Sequence, residues 1–372
     1  MRRSFVLSSL LLVFAAALPA AEIVVPTLPI GAKAPDFKLP GVDGRDYSLQ
    51  DFASSKILVV VFTCNHCPTA QAYEERIKRL VADFQPKGVA FVAISPNDEN
   101  SVRLDELGYT DLSDSFDEMK IRARDRHYTY PYLHEGDKTG IARAYGPSAT
   151  PHAFVFDAER KLRYVGRIDD SERASLAKVF DLRNALDAMV AGRPVPVAKT
   201  KSFGCSIKWA GKADSVKKYM ADLAKEPVAV EPIDAEALRA LRKNDSKKVR
   251  LVNFWATWCG PCLTEFHDLV TINRMYRHRA FELVTVAANF PDEKNDVMEV
   301  LKREQASNRS LLFASTDKYK LMDAFDPDWN AALPYTLLIA PGGEVLYKEQ
   351  GSLDALALKR AIVKSLKEDR FK

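Results

Sequence analysis

The sequence predicts an α/β protein built as two tandem domains of one architecture, and three observations carry that prediction. Two short, mostly apolar runs, Ile57 to Phe62 and Arg250 to Trp255, read as strands buried within a sheet. Each run leads into a turn with paired cysteines, Cys64-Asn65-His66-Cys67 and Cys259-Gly260-Pro261-Cys262, and then into residues of helical periodicity. Each half later sets a proline, Pro151 or Pro334, at the entrance of another apolar strand. The order strand, two-cysteine turn, helix, strand, proline, strand, helix therefore occurs twice, with little shared sequence.

The chain of 372 residues opens with Arg2 and Arg3, an apolar stretch from Phe5 to Leu18, and the small residues Ala20 and Ala21. That is the layout of a secretory signal peptide over residues 1–21, and the apolar run is short for a membrane span. The expected location is outside the cytoplasm, in a periplasm, with an uncleaved anchor as the alternative. The formal charge of +4 falls to about +2 without Arg2 and Arg3, which gives no reason to invoke nucleic acid or an anionic surface. With 47% hydrophobic and 28% charged residues, the body is globular. The roughly 350 residues left after the leader suffice for two full cores.

Residues 22–191 form the first domain. Strand Ile57–Phe62 and its cysteine turn precede a helix from Thr69 to Phe84, a strand Val89–Ile94 and a helix from Asp114 to Arg124. Ser148 to Phe156 carries Thr150-Pro151 into the next strand, Leu162 to Ile168 returns, and Ala174 to Ala191 reads as the closing amphipathic helix. Residues 192–226 read as a linker and tail, proline- and lysine-containing, with an unpaired Cys205 among Phe203, Ile207 and Trp209. Residues 227–372 form the second domain, opening with a helix capped by Asp234. A helix from Pro261 to about His278 follows its cysteine turn. Leu333-Pro334 then leads into a strand, a Gly342-Gly343 turn, a strand, and a last helix from about Asp354 to Asp369.

Two thiols at the start of a helix meet free backbone N–H groups and the positive dipole end, which favours a thiolate. The second sulfur can attack a mixed disulfide made by the first, the chemistry of dithiol exchange. A zinc site is disfavoured because no third ligand stands at ribbon or finger spacing, so no metal is expected. A structural staple is disfavoured too, since a bridge across two residues closes almost no loop. The absence of CxxCH excludes haem attachment, and no cofactor beyond the cysteine pairs is called for.

The stretch Val252-Asn-Phe-Trp-Ala-Thr-Trp-Cys-Gly-Pro-Cys262, with Glu265 beyond it, resembles the TlpA-like branch of the thioredoxin superfamily. Ala34-Pro-Asp-Phe-Lys-Leu-Pro40, Asp43-Gly44 and Tyr47-Ser-Leu49 resemble the entry of redoxin domains of the AhpC/TSA type. The resemblance implies two thioredoxin-like domains, each a central mixed sheet flanked by helices. It also implies that Pro334 and Pro151 are cis, presenting the backbones of Leu333 and Thr150 to an extended peptide. Proteins resembling the first domain often carry a GCSIKW tail like Gly204–Trp209, which assigns that tail to the first domain.

By the same resemblance Cys259 attacks and Cys262 resolves, with Cys64 and Cys67 in parallel roles. Trp258, Gly260 and Pro261 tune the second site, and Glu265 replaces the buried aspartate of thioredoxins, whose position holds Asn253. Asn65 and His66 tune the first site. A histidine before the second cysteine is expected to stabilise the Cys64 thiolate and raise the potential. The expected activity is thiol–disulfide exchange with protein substrates, re-reduced by an exported or membrane-embedded dithiol protein. Two alternatives stay open: a peroxiredoxin-like thiol peroxidase in the first domain, or a peptide-binding module without turnover. Against the peroxidase, the position three before Cys67 holds Cys64 instead of a hydroxyl residue. Cys205 is expected to be packed and unreactive, with a resolving role or intermolecular pairing as its alternatives.

Overall fold

A computed structural model describes residues 25–138 and 140–366. The expected signal peptide and residues 367–369 of the last helix lie outside the described residues. In chain order the first half contains strands β1 (Lys38–Pro40), β2 (Asp46–Ser48), β3 (Ile57–Phe62), β4 (Val89–Ser95), β5 (Tyr132–His134), β6 (His152–Phe156) and β7 (Leu162–Gly166). Its helices are α1 (Pro68–Phe84), α2 (Phe116–Asp125), α3 (Gly140–Tyr145) and α4 (Asp181–Val190), and α5 (Ala213–Leu223) follows in the connection. The second half contains β8 (Glu231–Ile233), β9 (Val249–Trp255), β10 (Phe281–Ala287), β11 (Arg309–Phe313), β12 (Tyr335–Ile339) and β13 (Val345–Gln350). Its helices are α6 (Ala235–Lys243), α7 (Gly260–Tyr276), α8 (Lys294–Arg303), α9 (Lys318–Phe325) and α10 (Ala355–Ser365).

The two central sheets follow one plan, as the repeated pattern predicts. The first runs β5-β4-β3-β6-β7 and the second β13-β12-β9-β10-β11-β8. In each, the strand before the cysteine turn is parallel to its neighbour on one side and antiparallel on the other, so both sheets are mixed. The register repeats with a constant offset of 192 positions: Ile57 pairs with Val89 as Val249 pairs with Phe281. The helices after the two turns, Pro68–Phe84 and Gly260–Tyr276, obey the same offset.

Every residue of β3 is buried because the sheet is covered on both faces. Val59 and Val61 join Tyr73, Ile77 and Val81 of α1 in one core, while Leu58, Val60 and Phe62 join Tyr145 and Phe154 in another. Alternate side chains of a strand point to opposite faces, and here each face has its own helical or loop cover.

Three stretches differ from expectation. The closing helix of the first domain is α4, beginning at Asp181, not at Ala174; the Asp170 carboxylate takes the Lys178 and Val179 N–H groups and holds that segment off the helix. The stretch after it is no free linker. Lys199 pairs with Val165, Ile207 and Trp209 are buried in the core with Phe62 and Tyr145, and α5 adds a helix not foreseen. Finally, the first domain's helix α2 begins at Phe116, leaving Asp114 free of the helix and buried beneath the cysteine turn.

The halves touch through the C-terminal end of α7. The Tyr276 hydroxyl donates to the Thr110 carbonyl at 2.6 Å, and the Arg279 guanidinium lies 4.0 Å from the Tyr109 ring centroid. Lys359 and Arg360 of α10 pair with Glu118, Asp111 and Asp125.

Candidate active sites

In the second domain Cys259 is the N-cap of α7 and its Sγ accepts the Cys262 N–H at 3.3 Å. Gly260 and Pro261 fill the first two helical positions, where a missing N–H costs nothing. Cys259 and Cys262 form a disulfide, with Cys259 6% and Cys262 1% exposed. The Leu333–Pro334 bond is cis, at the entrance of β12 and adjacent to β9, and Leu333 packs into the cluster that holds both sulfurs. The loop before Cys259 is fixed by Asn289, which accepts the Thr257 N–H and donates to the Thr257 hydroxyl. Trp258 is 62% exposed, and Lys318 lies over both its ring and that of Phe290. An aromatic rim thus stands in solvent beside a nearly buried sulfur.

Glu265 is buried one turn further along α7. Its carboxylate accepts the Asn253 amide at 3.2 Å and the Leu353 N–H at 2.8 Å. Burial raises its pKa above the ordinary carboxylate value, and those two hydrogen bonds only partly offset the effect. A carboxyl so placed can hold or release a proton nearer neutrality than a surface glutamate.

The first domain is built differently. Here the N-cap of the helix is the second cysteine, Cys67, whose Sγ accepts the Ala70 N–H at 3.4 Å; Pro68 occupies the first helical position. By the shared offset Cys67 corresponds to Cys259, Ala70 to Cys262 and Cys64 to Ala256. The expected parallel roles of Cys64 with Cys259 and Cys67 with Cys262 are therefore displaced by one helical turn. Thr150, whose bond to Pro151 is cis, touches all three first-domain cysteines. Its Oγ1 is 3.3 Å from the Cys64 sulfur, its carbonyl 3.2 Å from the Cys67 sulfur, and its N–H donates to the Cys205 carbonyl at 3.0 Å.

Two residues far away in sequence organise this turn. The Asp114 carboxylate accepts the Asn65 N–H (2.8 Å), the His66 N–H (3.0 Å), the His66 Nδ1 (2.5 Å) and the Asn97 amide (2.7 Å). The Asn97 carbonyl oxygen in turn accepts the Lys208 N–H at 2.8 Å, which ties the Cys205 segment to the same network. Arg122 donates to the Asn65 carbonyl at 3.0 Å. Ligand atoms of Cys64, His66 and Asp114 lie within 4.8 Å of one another, but four N–H donors already occupy the carboxylate, so the cluster is a hydrogen-bond network and not a cation cage.

The electrostatics follow from these contacts. Burial pushes the Cys64 thiol up, reinforced by its hydrogen bond to Cys67 and by the Asp114 charge. Burial acts upward on Cys67 as well. Hydrogen bonds from the Cys205 and Cys64 thiols, the Ala70 N–H and the His66 charge outweigh it and bring Cys67 well below the ordinary thiol value. Burial opposes protonation of His66, but the Asp114 charge and hydrogen bond prevail and raise it. The expected bond from His66 to a Cys64 thiolate is absent among the described residues: the ring is turned to Asp114, and the sulfur it favours is Cys67. Asn65 serves through its backbone and side chain as an anchor to Ser113, Asp114 and Arg122. Asp114, Asn97 and Arg122 carry no local motif and were not foreseen as site residues. The missed register did have a signal, the proline directly after Cys67.

Residues 30–165 match the AhpC/TSA family and residues 236–362 the Redoxin family. The thiol–disulfide oxidoreductase ResA of Bacillus subtilis is 31% identical over 102 residues, 27% of this chain and 52% of its own length. The thiol:disulfide interchange protein HelX of Rhodobacter capsulatus is 28% identical over 127 residues, 34% of this chain and 65% of its own. The chain thus spans between half and two thirds of the length of these curated relatives. Among solved structures, an uncharacterized conserved protein from Geobacillus kaustophilus is 40% identical, with 49% of this chain and 92% of that one covered and a TM-score of 0.44. No helix among the described residues is long and apolar enough to cross a membrane.

Proposed function

Starting from a chain that joins an AhpC/TSA-family domain to a Redoxin-family domain, both of the thioredoxin superfamily, we propose that it is an exported thiol–disulfide oxidoreductase acting on protein thiols and disulfides. The observation that carries this reading is the second site: a helix-capping Cys259 bonded to Cys262, beside the cis Leu333–Pro334 bond. Once the pair is reduced, the helix N-terminus favours the Cys259 thiolate. That sulfur attacks a substrate disulfide, forming a Cys259 mixed disulfide and releasing one substrate thiol. Cys262 then attacks the Cys259 sulfur, and the second substrate thiol leaves as the protein disulfide closes. Leu333 offers its backbone to an extended peptide across the site. In this reading Glu265, three residues beyond Cys262, takes the Cys262 proton. The disulfide is reduced again by an exported or membrane-embedded dithiol protein.

The test is capture of substrates on a Cys262→Ser variant of the full chain. Mixed disulfides should accumulate through Cys259, and a Cys259→Ser variant should hold far fewer. Equal capture by both variants would reverse or abolish the assigned roles, and capture by neither would favour a peptide-binding module without turnover.

A second reading concerns the first domain. Its AhpC/TSA match and the buried, helix-capping Cys67 favour a thiol peroxidase. Peroxide consumption that survives Cys259→Ser but not Cys67→Ser would support it.

A further inference from the structure

The first domain holds one thiol more than a dithiol site uses, and the three sulfurs differ in access. Cys67 is 0% exposed, whereas Cys205 is partly exposed. A protein-sized disulfide cannot bring its sulfur into line with an atom that has no surface. Cys67 nonetheless packs with the other two in one cluster, and Thr150 reaches all three, its hydroxyl meeting Cys64, its carbonyl Cys67 and its N–H the Cys205 carbonyl.

Cys205 is not there by accident of a loose tail. Its carbonyl accepts the Thr150 N–H, and the pair form a bridge. Gly204, at φ +139°, approaches so closely that a Cβ there would stand 2.0 Å from the Thr150 carbonyl oxygen. On the other side Lys208 is fixed by Asn97 and Asp98, and Ile207 and Trp209 are buried in the core. The stretch is pinned on both flanks of the sulfur, with only glycine able to make the approach.

We propose that Cys205 is the port of a three-thiol relay, through which the buried Cys67 and Cys64 exchange with disulfides in solution. The steps balance with two protons shared among three sulfurs at the start. The Cys205 sulfur attacks the incoming disulfide as its proton passes to the leaving substrate sulfur, so that a Cys205 mixed disulfide forms and one substrate thiol leaves. Cys67, already a thiolate, attacks the Cys205 sulfur, so that the second substrate sulfur leaves as a thiolate and a Cys67–Cys205 bond forms. Cys64 then attacks the Cys67 sulfur, its proton going to the second substrate thiolate, and Cys205 is released as a thiolate. The substrate disulfide has become two thiols and the protein holds a Cys64–Cys67 disulfide. A dithiol reductant returns the pair by the same path reversed.

The proposal rests on reading the first domain as a thiol–disulfide site, and its test silences the second domain so that the two can fail separately. Full-length protein carrying Cys259→Ser and Cys262→Ser is reduced, mixed with glutathione disulfide, acid-quenched at intervals and mapped without reduction. Glutathione should appear first on Cys205, the Cys67–Cys205 bridge next, and the Cys64–Cys67 bridge last. Adding Cys67→Ser should leave glutathione on Cys205, adding Cys64→Ser should stop the sequence at Cys67–Cys205, and adding Cys205→Ser should slow Cys64–Cys67 formation about tenfold or more. First modification at Cys64 or Cys67, an unmodified Cys205, or parental rates in the Cys205→Ser chain would overturn the relay. If a serine variant fails to fold, the order of appearance in the parent decides alone.

Discussion

Asp114→Ala should be among the most damaging single substitutions in the first domain, and Asp114→Asn should cost about half as much. The carboxylate is 0% exposed and accepts four N–H groups, two from the backbone of the cysteine turn and one each from the His66 and Asn97 side chains. Removing it leaves these donors in a buried site, and a buried group stripped of its partner costs about 1–3 kcal/mol. Loss of one member of a buried charge pair costs about 3–5 kcal/mol, so the alanine variant should lose about 3–6 kcal/mol. That is a large share of the 5–15 kcal/mol typical of a domain, roughly speaking. In Asp114→Asn the amide oxygen still meets the two backbone N–H groups, while the amide N–H₂ faces the other two donors. A neutral His66 can accept there, so its charge is given up and Cys67 loses a cationic neighbour.

Hydrogen exchange followed by mass spectrometry reads this domain by domain. Peptides covering Ile57–Cys67 should lose protection, and those covering Val249–Cys262 should change little. In the asparagine variant the Cys67 thiolate should also appear at higher pH, a shift that a purely structural role would not give. The pH dependence has a definite sign. Asp114 is held below its ordinary value of 3.8, so its contribution is present above that value and is lost as the pH falls through the lower folded value. An alanine variant within about 1 kcal/mol of the parent, or an asparagine variant as damaged as alanine, would refute the reasoning.

Glu265 works in the opposite sense: burial raises its folded pKa above 4.5, so stability falls as the pH rises from that value through the folded one. Glu265→Gln should remove this dependence in thermal melts without unfolding the domain, because the buried Asn253 Oδ1 has no partner among the described residues and can accept from the new amide; disulfide closure at Cys262 should slow about a hundredfold. Because the Cys67 thiolate is stabilised, the first site should be more oxidising than the second by about 30 mV or more in redox titration, and equal potentials would remove that role from its hydrogen bonds. The 17 residues of α7 place Cys259 about 25 Å from the end that meets the first domain, so transfer between the two sites should quicken with protein concentration; a concentration-independent rate would show that the domains move to meet.

The sequence was legible where a signal is local. β3 and β9 are continuous apolar runs, both prolines stand directly before apolar strands, and the tail's Ile207 and Trp209 are plainly residues that seek a core. The cis state of both prolines came through the family resemblance, since nothing in a single X–Pro pair distinguishes the isomers. The register of the first cysteine pair was misjudged because identical CxxC spacing invites alignment of first cysteine with first cysteine. What decides the register is which sulfur caps the helix, and the proline after Cys67 sets the helix start there, whereas Pro261 lies inside its pair. Asp114, Asn97 and Arg122 stayed invisible because their partners lie 17 to 111 positions away; only the folded sheet brings them under one turn. The route of Cys205 to Thr150 was invisible for the same reason, although the glycine before it marked a close approach.

A one-turn displacement of the cysteines changes what the same scaffold can do. In the second domain the capping sulfur is followed by its partner inside the helix, so both sulfurs share the dipole end, with the nearly buried Cys259 next to the exposed Trp258. In the first domain the capping sulfur has Ala70 at that helical position, and its partner Cys64 lies behind it, on the strand side of the turn. The capping sulfur is then enclosed: by Cys64 and Thr150 on one side, by the pinned Cys205 segment on another, and by the Asp114-held turn beneath. Enclosure removes direct access for a large substrate while the surrounding donors favour the charged sulfur. A site of that kind needs either a small oxidant or an intermediary thiol at the surface. The tail supplies the thiol, and the Asn97 link between Lys208 and Asp114 ties its placement to the same carboxylate that sets the charge of His66. Access and thiolate chemistry at the first site are thus fixed by one buried network, whereas at the second they follow from the helix end, the Asn289-held loop and Glu265.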